Sequence, residues 1–123
     1  MKNNIELKLL VEQPIIEWRY KGDTFSLTLS EVDQVLVDQG RELIFILDQK
    51  KGFPERLTII TARGKIVSSF SPPDDGRFYY MTTDSKKEVL IVCVFTVKID
   101  GWSDWHFSFH PQRKQLERLS PAY

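Results

Sequence analysis

Cysteine is almost absent: Cys93 is the only one in 123 residues. That excludes an intrachain disulfide and any cysteine-rich zinc site, and leaves stability to an ordinary core. Its apolar neighbours mark it as a buried thiol, without the electropositive, open setting that a catalytic cysteine needs. Long apolar runs are missing too. The longest, Val89–Phe95, has seven residues, far short of the ~20 that a membrane-spanning helix requires. Near the start, Glu6, Lys8 and Glu12 interrupt the sequence before any apolar stretch of the secretory kind develops. A cytoplasmic chain with no membrane partner is the expectation.

Excess charge of one sign is also lacking. Seventeen basic residues balance seventeen acidic ones, with 8 and 10 in residues 1–61 and 9 and 7 in residues 62–123. Neither half is a polyelectrolyte, so nucleic acid is not an expected partner. Lys50-Lys51, Lys86-Lys87 and Arg113-Lys114 fall in turns, where they act as solubilising edge charges. The six glycines are scattered and form neither a dinucleotide-binding fingerprint nor a phosphate loop. A Gly-x-Ser-x-Gly nucleophile elbow is missing as well. No cofactor is expected. The loop Pro72-Pro73-Asp74-Asp75-Gly76 pairs two carboxylates but lacks the ligand spacing of a calcium loop, and is read as a turn.

What the sequence does contain is two-residue periodicity. Trp18–Tyr20 leads through Lys21-Gly22-Asp23 into Phe25, Leu27 and Leu29, which alternate with Ser26 and Thr28, a hairpin pattern. Ser30 as a cap, Val32, Val35 and Leu36 at helical spacing, and Gly40 as a stop predict one short helix near 31–39. From Glu42 onward the segments Leu43–Leu47, Leu57–Thr61, Lys65–Phe70, Phe78–Met81, Val89–Phe95, Trp102–Phe109 and Gln115–Leu119 all read as strands. Leu43–Leu47 and Val89–Phe95 do not alternate, as befits strands covered on both faces. The fold class expected is all-β, built of antiparallel meanders. A single domain spans 1–123: a hairpin plus the short helix in 1–40, then two similar meander units, 42–73 and 88–122.

Those two units echo one another. Glu42–Leu47 matches Glu88–Cys93 at an offset of 46 residues, and Ser71-Pro72-Pro73 matches Ser120-Pro121-Ala122 at an offset of 49. In rhythm, residues 42–122 resemble tandem blades of the β-propeller type, with Phe78–Met81 between them. The resemblance implies four-stranded meanders stacked as blades, and two such meanders also suit the halves of a sandwich.

Chemistry concentrates in Asp100–His110. As a strand, it puts Trp105, Phe107 and Phe109 on a core face, with Trp102, Asp104, His106, Ser108 and His110 opposite. Both histidines of the chain then share one polar face. Residues four apart on a strand lie roughly 13 Å apart, too far for one ion to take both, so no metal site is expected. A hydrolytic or metal-dependent enzyme using Asp100, Asp104, His106 and His110 is the alternative to a binding surface. Trp18, Tyr20, Tyr79, Tyr80 and Trp102 supply rings for a sugar or anchors for a protein. A strand through Phe78-Tyr79-Tyr80 must turn one of these rings away from the other two. The reading is a small non-catalytic module that binds a protein partner, as toxin-neutralising immunity proteins do, through Trp102, Asp104, His106, His110, Trp18 and Tyr79. A carbohydrate-binding module is the other alternative. Open sheet edges add the expectation of a homodimer.

Overall fold

The computed structural model describes residues 4–10 and 14–122, and among them every regular element is a β-strand. β1 (Glu6–Leu10), β2 (Ile15–Tyr20) and β3 (Asp23–Thr28) form a three-stranded antiparallel sheet. β4 (Gln34–Asp38), β5 (Leu43–Asp48), β6 (Arg56–Thr61) and β7 (Ile66–Phe70) form a four-stranded meander. β8 (Gly76–Thr83), β9 (Val89–Ile99), β10 (Trp102–His110) and β11 (Gln115–Pro121) form a second. The expected hairpin closes through the two-residue turn Lys21-Gly22, and β9–β10 closes through Asp100-Gly101. All four of these residues have positive φ, the mirror-image turn whose twist matches paired strands.

The expected helix near 31–39 is a strand instead. Val35, Leu36 and Val37 lie opposite Ile46, Phe45 and Ile44. Val35 and Val37 pack towards the first sheet, and Leu36 packs towards the third. The spacing that mimics a helical stripe belongs to a strand with apolar contacts on both sides, a setting that suits β-branched valine. Ser30 caps nothing; Glu31 takes a positive φ in the connection, and Asp33 pairs with Lys50 at 2.8 Å. The meanders also begin earlier than expected, at Gln34 and Gly76, and Phe78–Met81 belongs to the first strand of the last sheet.

The middle sheet is the central layer. Ile44, Ile46, Ile60 and Ala62 meet Ile16, Trp18, Tyr20 and Leu29 of the first sheet and its exit. Leu43, Phe45, Leu47, Leu57 and Ile59 meet Phe78, Ile91, Trp105, Phe107 and Phe109 of the third. β5 is therefore buried along its whole length, which is why Leu43–Leu47 shows no alternation. Polar clasps join the layers. The Gln39 amide bonds both backbone groups of Ile5 at 2.8 Å, and the Gln34 amide does the same to Met81 at 3.0 and 2.6 Å. Asp38, fully buried, takes the Arg41 guanidinium at 2.6 Å and the Val89 N–H at 3.2 Å. Arg41 in turn donates to the Phe109 carbonyl at 2.9 Å.

Candidate functional site

The first sheet turns one face to the middle layer, and so does the third; the outward face of the third carries the notable side chains. Register places them in rows across β8, β9 and β10. Arg77, Val94 and Asp104 form one row, and Tyr80, Val92 and His106 the next. Thr82, Leu90 and Ser108 form a third row, continued by Glu117 on β11. Leu90, Val92 and Val94 thus make an apolar strip along the middle strand. Neither of the other sheets packs on it, yet Leu90 and Val92 are 8% and 0% exposed, with Tyr80 and His106 the cross-strand neighbours of Val92.

A β-bulge shapes the β8 side. The register shifts between Phe78 and Tyr80, so that Phe78 enters the core while Tyr79 and Tyr80 stay 47% and 41% exposed. Their rings meet edge to face at 5.0 Å. Tyr79 also touches Phe53 at 5.9 Å, and the Arg77 guanidinium lies 5.4 Å from the Phe53 ring. Sequence alternation requires one ring of the three to face away from the others. The bulge decides that Phe78 is the one, and no local residue announces it.

The strand Trp102–His110 alternates as expected: Trp105, Phe107 and Phe109 are buried, while Asp104, His106, Ser108 and His110 are half-buried on the other side. Trp102 does not join that row. The register breaks between Trp102 and Asp104, leaving Trp102 opposite Ile99 at the hairpin tip, 43% exposed. His110 accepts from the Arg113 N–H at 3.2 Å, at the far end of the strand. Asp104 accepts from the Ser103 hydroxyl at 3.0 Å. Asp100 sits in the β9–β10 turn, away from the histidines along the strand. The alternative set Asp100, Asp104, His106 and His110 is thus strung from the β9–β10 turn along β10 instead of converging. Among the described residues no three His, Cys, Asp or Glu side chains are grouped to hold a metal ion.

Trp18 is corrected outright. It is 1% exposed, stacks on Phe25 at 5.6 Å and donates its indole N–H to the Ala62 carbonyl at 2.6 Å. A tryptophan packed between two sheets cannot stack on a sugar, and Tyr20, 7% exposed and bonded to Glu42, is equally committed. The proposed sugar platform loses both rings, and Trp102, opposite Ile99, lies seven residues along β9 from Val92 in the row of Tyr80.

Sequence reading missed Arg77 and the apolar strip Leu90–Val94. The strip was legible only as a buried run, because an apolar run does not say which of its faces is sheltered by a sheet. No family model, curated protein or solved structure matches the chain. No helix among the described residues is long and apolar enough to cross a membrane.

Proposed function

We propose that the protein is a binding module that presents the outward face of its third sheet to a protein partner. One observation carries this reading: the bulge in β8 turns two adjacent tyrosines outward beside a continuous apolar strip, with Arg77, Asp104 and His106 at its rim. Tyrosine contributes large rigid area and a polar tip, the combination favoured at the centre of protein interfaces. A flat, strand-built face suits another protein surface better than a small molecule, which is held in a concave site. A cytoplasmic address is part of the same proposal.

Affinity capture with the purified chain, followed by titration of the captured partner, tests it. Tyr79→Ala with Tyr80→Ala should weaken binding about thirtyfold, the equivalent of ~2 kcal/mol for an anchor pair, with the melting temperature little changed. His106→Ala should have a smaller effect. Loss of binding in Trp102→Ala alone would place the contact at the hairpin tip and overturn the assignment. Metal-dependent turnover abolished by His106→Ala would replace the binding reading with the enzymatic one.

A further inference from the structure

Resting on that reading of the face, we infer that its occupant is a second copy of the chain, related by a two-fold axis running along β9 between the facing sheets. Turning one sheet over about that axis exchanges the strands on either side of β9 and keeps each row at its own level. β8 of one copy then lies over β10 of the other. Arg77 meets Asp104, and Asp104 meets Arg77, in the row that both share with Val94. Tyr80 lies over His106 and Thr82 over Ser108, and Val94 meets its own counterpart, while Leu90 and Val92, 8% and 0% exposed, form the floor beneath these contacts. The face is therefore complementary to itself, as a two-fold interface requires.

An axis across the strands fails the same comparison. It would put Tyr80 on Tyr80 and His106 on His106, and leave Arg77 opposite Thr82. The remaining charge on the face, Glu117, lies on β11, one strand beyond the overlap, and is already paired with Arg113 at 3.0 Å. On the outward face of the first sheet Glu6 lies opposite Arg19 and Lys8 opposite Glu17, so each charge there already has an opposite charge beside it within the sheet. Aligned sheets pack ~10 Å apart at about −30°, a distance that side chains of tyrosine and arginine length bridge.

Three rows across three strands give a footprint on the order of 300 Å², from strand spacings of ~4.8 Å and ~3.3 Å per residue. That is a small interface, so the pair should form at tens to hundreds of micromolar. Sedimentation equilibrium over that range is the experiment. The wild-type mass should rise from 14.4 kDa towards twice that value. Arg77→Glu and Asp104→Arg, each creating two like-charge contacts per pair, should hold the chain monomeric at every concentration. The combined variant should dimerise again. Both positions lie on the outward face, Arg77 exposed and Asp104 half-buried, and circular dichroism should show the same β spectrum for all three variants.

A wild-type monomer over the whole range overturns the inference, as does a folded double variant that stays monomeric. Mass rising beyond the dimer also overturns it, because open-ended growth means unlike faces in contact. The broader reading fails separately. If Tyr79→Ala with Tyr80→Ala changes neither self-association nor capture of another protein, the face itself is not a binding surface. A monomeric chain that still loses a heterologous partner in that variant leaves the face assigned and only the second copy refuted.

Discussion

Cys93 lies in β9 between Phe78 and Trp105 on the neighbouring strands, with none of its surface exposed. Burial pushes its thiol up from 9.0 to about 12, because the thiolate would lose its hydration in an apolar core. Between those two values the unfolded chain has released the proton and the native chain still holds it. Stability therefore falls as pH rises above 9, by up to about 1.4 kcal/mol per pH unit from this group. Denaturant titrations from pH 8 to 11 should show that component in the wild type and not in Cys93→Ala, which is less stable at pH 8 because of its cavity. Native Cys93 should also resist thiol reagents at pH 8 until the chain unfolds; modification at the rate of a free thiol would contradict its burial. Asp48 shows the other way to bury a titratable group. It is 1% exposed but takes a two-pronged Arg56 at 2.9 and 2.7 Å, and that hydrogen bonding raises the Arg56 pKa above its ordinary value despite partial desolvation. The fork supplies the buried carboxylate with hydrogen bonds that water would otherwise have supplied.

At the scale of the element, β4 shows how a short amphipathic stretch is decided from outside. Five residues cannot stabilise a helix by themselves, whereas pairing with β5 and contacts on both faces stabilise a strand. Gln34 opens it and is held by both backbone groups of Met81, so the first strand of the middle sheet is tied to the first strand of the third. Gln34→Leu should leave the Met81 N–H and carbonyl unpartnered and cost about 1–3 kcal/mol. Hydrogen exchange should report it as faster exchange of the Met81 amide, and an unchanged rate would show that the clasp does not form in solution. The echo between Leu43–Leu47 and Val89–Cys93 is also settled at this scale. Matching positions Leu43 and Val89, Phe45 and Ile91, and Leu47 and Cys93 share one core cluster and face each other across it. Units repeated in series along a stack would turn matching positions the same way. The echo is a likeness between two doubly apolar strands, and a run without alternation carries no information about facing.

The whole molecule is three layers with two apolar interfaces, and the middle sheet belongs to both. Neither interface can open without uncovering one face of β5 and β6, so the layers should unfold together. Trp18 lies in one interface and Trp105 in the other, which makes them separate reporters. With Trp102 replaced by Phe, variants retaining only Trp18 or only Trp105 should give coincident denaturation midpoints by fluorescence. Midpoints separated by more than the experimental error would mean that the first sheet detaches before the rest. Far-UV dichroism of the intact chain should show strand and essentially no helix.

The amino-acid sequence by itself determined the all-β class, the Lys21-Gly22 hairpin turn, the strand segments from Leu43 onward, and the inward set Trp105, Phe107 and Phe109. Each of these follows from local alternation, run length or turn chemistry. Tertiary structure alone decided that Gln34–Asp38 is a strand, because the sheets on either side outweigh a helical spacing of three residues. It decided that Trp18 is core, since a ring between two layers and a ring on a surface have the same neighbours in sequence. It also separated Trp102 from Asp104 and His106, and turned Tyr79 and Tyr80 out together. Both effects come from register breaks in strand pairs, and register is a property of two strands that neither one carries alone.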